Sequence, residues 1–391
     1  MRVVVAPDKF AGTLTAVEAA GAIAEGWARR APDDELVVVP MSDGGPGFLD
    51  VLHATLGGEV VACTTTDPYG RDVPGAVLLH EEQTPSGTRV TAYVESAQAL
   101  GLHLTPDTER DAERAGSAGL ATLLLTARAR GADRVVVGLG GSAVNDGGAG
   151  LLQGLGAVAY DASGAVVDVA GGPRSLPSVH RLDASAAVEA VAGLELVVAS
   201  DVDNPLLGLF GATKTYGPQK GLAEDRLPWV EGRLVDLVDA VDRGAGPEAA
   251  DKPGTLSSRR EGAGAAGGTG FALLLLGATR TPGLDVVADA VDLTGALRGA
   301  DLVVTGEGAF DFSSRSGKVP YGVARAAEAV LAPCIALAGQ VLVGSRETRA
   351  LGIDAAYALV DLVGEERAFD DPRAALADLA ERTARTWSRR R

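Results

Sequence analysis

The chain has 391 residues, 35 basic and 52 acidic side chains for a formal net charge of −17, and 46% hydrophobic against 22% charged residues. These values fit a soluble globular protein and exclude disorder, collagen and a disulfide scaffold. The acidic balance, with no run of Lys and Arg, speaks against a nucleic-acid or anionic-membrane partner. The longest apolar stretch, residues 271–276, falls far short of the roughly 20 residues a membrane helix needs.

In chain order, residues 2–6 predict a short buried strand, the loop PDKFAGTLT, and an apolar-periodic helix over 16–29 capped by Thr13 or Thr15. A second strand is expected at 36–39, then the loop PMSDGGPG and a helix over 48–56. This β-loop-α repetition predicts a parallel sheet with functional loops at the carboxyl ends of its strands. From about residue 58 the chain turns Val- and Thr-rich, and 59–65, 76–79 and 89–94 read as antiparallel strands. A helix is expected over 107–130, a strand at 134–137 before GLGGSAVNDGG, a strand at 194–200 before DVDNP, and helices around 223–242. After GAGAAGGTG come a buried helix and strands at 301–305, 334–338 and 355–359. The fold class expected is α/β: a doubly wound, Rossmann-like domain of residues 1–57 and 285–391, interrupted by an inserted α/β domain, 58–284. The polar stretch 244–262 is the nearest thing to a linker.

Cys63 and Cys334 stand far apart without metal-ligand spacing and read as small buried hydrophobes. The first ten residues hold too short an apolar run for a signal peptide. A cytoplasmic protein is therefore expected. The four histidines lack triad or metal spacing.

Only five of the 35 basic residues are lysines, and Lys9, Lys220 and Lys318 all lie in Gly- or Pro-punctuated loops. A lysine kept in an Arg-rich chain supplies a compact point charge that a planar guanidinium does not. The two asparagines, Asn145 and Asn204, each sit beside an aspartate; initiating a turn and binding a ligand are both open for them. GLGGSAVNDGG, 138–148, has the ingredients of an anion cradle, though it matches neither the dinucleotide fingerprint nor the Walker A loop. GAGAAGGTG, 262–270, is a second such loop. Asp8, Asp43, Asp146, Asp201, Asp203, Glu307 and Asp311 follow predicted strands or sit in Gly-rich turns. A set like this suits Mg²⁺ bridged to phosphates, with one carboxylate left to accept a proton from an attacking hydroxyl.

Taken together, APDKFAGTLTA, PMSDGGPG, DPYGR, GLGGSAVNDGG, DVDNPLLG with YGPQKG, GAGAAGG, TGEG with GKVP, and ALAG resemble the bacterial two-domain glycerate kinases, over nearly the whole chain and in the family's order. The resemblance implies transfer of the γ-phosphoryl group of ATP, with Mg²⁺, to a hydroxyl of D-glycerate, giving 2-phosphoglycerate. It also implies a site between two domains that move about connections near 58 and 285. Under it, Gly140, Gly141, Ser142, Asn145, Asp146, Gly264, Gly267 and Gly268 would hold the nucleotide. Asp8, Asp201, Lys220 and Lys318 would be catalytic; Lys9, Asp43, Arg71 and Asp311 would bind substrate; Asp203 and Glu307 would bind the metal. The oligomeric state is open, with a homodimer the form to test.

The sequence departs from the family where a Lys becomes Ala11, a Glu becomes Pro46, a Thr becomes Phe48, and Arg-Leu-Asp and Gln-Thr become Ala309-Phe310-Asp311 and Ser313-Ser314. A kinase for another small hydroxy acid, and a non-catalytic nucleotide- or metabolite-binding regulator, are the alternatives.

Overall fold

Short runs of β-branched residues form the strands of the computed structural model, which describes residues 1–85, 87–246, 252–311 and 318–388. In chain order these are β1 (Arg2–Val5), β2 (Glu35–Val38), β3 (Glu59–Thr66), β4 (Asp72–Thr84), β5 (Gly87–Glu95), β6 (Arg134–Gly138) and β7 (Val158–Tyr160). They are followed by β8 (Val166–Val167), β9 (Arg181–Asp183), β10 (Glu195–Ala199), β11 (Thr279–Thr281), β12 (Leu302–Phe310), β13 (Cys334–Val341) and β14 (Ala355–Ala358). The chain divides into two units. Unit 1 is Met1–Asp43, Asp50–Gly57 and Gly283–Arg391; unit 2 is Gly44–Leu49 and Gly58–Pro282. The turn Gly44–Leu49, expected with the first domain, groups with unit 2 because the Glu95 carboxylate accepts from the Gly47 and Leu49 amides at 3.1 and 3.2 Å.

Unit 1 is built on one parallel sheet of order β14-β13-β12-β1-β2. Val3, Val4 and Val5 are wholly buried, as an interior strand of a parallel sheet covered on both faces requires. The following helix, Ala16–Arg30, starts where the sequence says it should: Thr15 accepts from the Glu18 amide, and the Glu18 carboxylate accepts from the Thr15 amide, a complete capping box. Its buried face carries Ile23 and Trp27, which share a core with Leu376 and Leu379 of helix Pro372–Trp387. From β1 the chain runs outward to β2; the later strands β12, β13 and β14 build on the other side of β1. The order therefore reverses between β1 and β12, and ligands of open α/β sheets bind at the carboxyl ends beside such a reversal.

Unit 2 carries a mixed sheet of order β11-β10-β6-β5-β4-β3, antiparallel from β3 to β5 and parallel from β5 to β11. The helix expected over 107–130 is confined to Gly119–Ala129. Residues before it spend their polar groups on distant partners: Glu113 accepts from Arg226 at 2.7 and 3.0 Å, and Ser117 serves Asp146. A three-stranded sheet, β8-β7-β9, was not foreseen, since strands of two or three residues show no period. Of the polar stretch 244–262, residues 247–251 lie outside the described residues, and Pro253–Ser258 is helical. Cys334 is buried, and burial pushes its thiol pKa up. Among the described residues, no helix is long and apolar enough to cross a membrane.

Candidate active site

In unit 1 the carboxyl ends of β1 and β12 gather six of the predicted residues. The Asp8 amide donates to the Gly306 carbonyl at 2.8 Å, which sets the loop after β1 against β12. Lys9 Nζ lies 3.7 Å from Asp8 Oδ1 and 3.6 Å from Asp43 Oδ1. Lys318 Nζ lies 3.7 Å from both Glu307 and Asp311. Asp8 and Glu307 are buried. Burial lifts the Asp8 pKa from the usual 3.8 to about 6; the Lys9 charge opposes the rise, Asp43 adds to it, and the Lys318 charge opposes it in turn. The result is an alternation of carboxylates and ammonium groups with one carboxyl poised to exchange a proton near neutral pH.

In unit 2 the loop after β6 is held from several sides. Asp146, fully buried, accepts from the Ser117 amide and hydroxyl at 2.9 and 2.7 Å and from the Gly148 and Gly150 amides at 3.0 and 3.1 Å. Burial raises its pKa, and those hydrogen bonds oppose the rise. Asp146 thus takes up the amides at the start of the following helix, Ala149–Gly154. No described residue accepts from the Gly140 or Gly141 amide higher in the loop. Lys220, buried too, donates to the Val144 carbonyl at 2.6 Å and to Ser142 Oγ at 3.2 Å. Burial lowers its pKa from 10.5 to about 7, against the pull of the Asp146 charge.

The second glycine loop meets the first. The Gly147 amide donates to the Gly267 carbonyl at 3.0 Å. Gly267 sits at φ +65°, and a Cβ there would stand 1.9 Å from the Val144 oxygen, so only glycine permits the contact. Asn145 Nδ2 donates to Thr213 Oγ1 at 3.0 Å, while its buried Oδ1 has no partner among the described residues. The DVDNP loop begins on the neighbouring strand: β10 pairs with β6 through Ala199 and Gly138, so Asp201 follows the same strand ends as the first glycine loop.

Other predicted residues are occupied elsewhere. Asp203 is exposed and ion-paired with Arg280. Arg71 is bound by Asp67 at 2.6 Å, by Thr105 at 3.1 Å and by Glu109 at 3.5 Å, none of them a predicted site residue. Asn204 braces its turn, donating to the Phe210 carbonyl at 2.7 Å and accepting from Tyr216 at 2.8 Å. Gly264 donates its amide to the Asn204 carbonyl at 2.8 Å. Pro46 packs on the loop, with its Cγ 2.8 Å from where a Gly141 Cβ would stand. Ser313 and Ser314 lie outside the described residues. Ser117, which holds the loop, carried no motif in the sequence, and Thr213 was not picked out within the segment that joins DVDNPLLG to YGPQKG.

Among the described residues, no group of three or more His, Cys, Asp or Glu side chains is arranged to hold a metal ion. Mg²⁺ asks for less, one or two carboxylates completed by waters and substrate phosphates. Glu307, an oxygen donor toward the end of β12, fits that mode.

Fold and residues together define an α/β enzyme with glycine loops and a lysine–carboxylate cluster at its strand ends, features suited to phosphoryl transfer. A family model described as "Glycerate kinase family" matches residues 3–388. The glycerate kinase of Bacillus subtilis (strain 168) is 37% identical over 387 residues, covering 98% of this chain and 96% of that one. The glycerate 2-kinase of Escherichia coli (strain K12) is 36% identical over 365 residues, covering 93% and 92%. A crystal structure from Salmonella typhimurium LT2, assigned as a glycerate kinase 2, superposes with a TM-score of 0.79 at 33% identity, covering 99% of this chain and 98% of that one. The chain belongs to the glycerate kinase family. It is accordingly a phosphotransferase with an alcohol acceptor, and a kinase takes its phosphoryl group from a nucleotide.

Proposed function

We propose that this chain phosphorylates D-glycerate with ATP and Mg²⁺, giving 2-phosphoglycerate. The observation that carries the reading is the cluster at the ends of β1 and β12, where Lys9 lies between Asp8 and Asp43 and Lys318 between Glu307 and Asp311. Phosphoryl transfer asks for a group that takes the hydroxyl proton and for fixed positive charge where charge builds on the transferred group. Asp8, its pKa lifted to about 6, accepts the hydroxyl proton. Lys318, beside Asp311, meets the developing negative charge, and Lys9, beside Asp43, holds the substrate carboxylate. Glu307 would hold Mg²⁺, which would supply positive charge against the charge that develops on the phosphates.

The Gly140 and Gly141 amides would bind phosphate oxygens. Lys220 keeps the loop in shape from beneath rather than reaching the transferred group, because its ammonium is spent on Val144 and Ser142. Asp203 is left to its pair with Arg280. The test is a coupled assay for ADP with D-glycerate, ATP and Mg²⁺, with phosphorus NMR of the product. Turnover with a 2-phosphoglycerate signal is expected. ADP release that does not depend on glycerate would reject the reading.

A further inference from the structure

Within unit 2 the turn Gly44–Leu49 lies against the first glycine loop. A Cβ on Gly138 would stand 2.5 Å from the Gly44 carbonyl oxygen, one on Gly140 2.6 Å from Gly45 Cα, and one on Gly141 2.8 Å from Pro46 Cγ. Successive residues of the turn therefore touch successive glycines of the loop, with no space for a side chain between them. Elsewhere on the loop the Gly141 carbonyl accepts from the Leu102 amide at 2.8 Å. The course of the backbone at Gly140 and Gly141 is thus set by what lies beside it.

A turn of sequence GGPGF has little stiffness of its own. Its anchors stand on β5, where Tyr93 and Glu95 are two residues apart and so on one face. Phe48, fully buried, meets the Tyr93 ring edge-on with centroids 6.0 Å apart. One oxygen of Glu95, Oε2, accepts from both the Gly47 and Leu49 amides. These anchored positions directly follow the three residues that touch the loop. Glu95 also pairs with Gly138 across the β5–β6 ladder, so anchor and loop start from facing positions on neighbouring strands.

Glu95 is buried at 8% exposure, and burying a carboxylate carries a desolvation penalty that an apolar side chain packed beside Tyr93 would avoid. What the carboxylate adds is a charge-assisted grip on two backbone amides. Resting on the reading that the Gly140 and Gly141 amides take phosphate oxygens, we propose that Glu95 is a positioning residue for the nucleotide. It seats the Gly44–Leu49 turn, and the turn holds the loop in its binding shape before ligand arrives. Without that seat the loop must be ordered on binding, which weakens affinity.

The experiment titrates ADP in a Mg²⁺ buffer into the full chain and into Glu95→Ala and Glu95→Gln by calorimetry, with thermal melts of each. Glu95→Ala should raise the Kd for ADP about tenfold or more, the scale of a lost hydrogen bond to a charged group. Glu95→Gln, which can place a carbonyl oxygen where Oε2 stood, should bring the Kd back to within about threefold. In the coupled assay the KM for ATP should follow the Kd while kcat at saturating ATP stays within about threefold, since Glu95 touches no reacting atom. Should Glu95→Ala fail to fold, Pro46→Ala takes the ring off Gly141 and should raise the Kd about threefold or more. An Ala variant at position 95 that melts earlier yet binds ADP like the unaltered chain would reduce Glu95 to a cap for the helix Phe48–Leu56 and overturn the proposal. A Gln variant no better than Ala, or a folded Pro46→Ala with unchanged Kd, would overturn it too, and all three leave the nucleotide reading of the loop intact. An unaltered chain that does not bind ADP would sink that reading and the proposal together.

Discussion

Lys220 Nζ donates to the Val144 carbonyl at 2.6 Å from inside unit 2. The glycine loop is thus pinned by a lysine that is itself only 3% exposed. Two neighbours, Asp146 with its four donors and Gly267 with its left-handed backbone, hold the same loop from other directions.

Burying that ammonium makes stability depend on pH. The folded Lys220 has a pKa of about 7, against 10.5 for a free lysine. Between those values the unfolded chain holds a proton that the folded chain has released, so stability climbs as pH rises through that window. Lys220→Met removes this contribution. Urea midpoints at pH 7 and pH 9 should show the unaltered protein gaining on the variant; a constant gap would show that folding does not lower the Lys220 pKa.

Asp8 gives the opposite sign. Its folded pKa of about 6 lies above the usual 3.8, so the folded state holds the extra proton between pH 4 and 6 and stability falls as pH rises across that range. Activity runs the other way, because a proton acceptor must be ionised. kcat/KM should rise with pH through about 6 and then level off. Asp8→Asn should cost roughly 10²- to 10⁴-fold in kcat, the usual scale for losing a general base. A pH–rate profile flat from 5 to 8 would exclude Asp8 from this role.

Gly267→Ala places a methyl 1.9 Å from the Val144 oxygen on a backbone at φ +65°. Overpacking and strain together should cost about 2–4 kcal/mol. Thermal melts read the loss. A melting temperature equal to that of the unaltered protein would mean the two glycine loops are not in contact.

Asp146→Ala strips acceptors from the Ser117 amide and hydroxyl and from two loop amides in a fully buried place. Each orphaned donor costs about 1–3 kcal/mol, so the variant should unfold at markedly lower denaturant. Asp146→Asn, which keeps one acceptor oxygen and the side-chain shape, should recover part of that loss.

Much of this arrangement could be read in the residues. β1, β6, β10 and β12 announce themselves as Val-rich runs, and Asp8 and Lys9 stand out because Pro and Gly punctuate the loop after β1, whereas Glu307, expected past its strand, lies inside β12. The helix over 107–130 was overextended because DAERAGSAGLATLLL has helical composition, while tertiary hydrogen bonds at Ser117 and Glu113 stop it short. Lys220 and Arg71 show the other limit. Sequence marks a lysine or arginine in a loop, but whether it faces inward to Val144 or pairs with Asp67 depends on residues far along the chain.

β1 has Leu302, Val303 and Val304 as the strand partners on one side, so the amino-terminal strand emerges from the ribosome long before its neighbour exists. At synthesis rates of ~5–20 residues per second the wait is tens of seconds. Val3, Val4 and Val5 must pass that interval without their final cover. Unit 2, whose larger segment is complete by Pro282, is free to collapse first. Newly made chains are thus expected to keep the apolar faces of β1 and the helix Ala16–Arg30 uncovered until residues 283–391 are made, an exposure set by the order in which the strands were threaded.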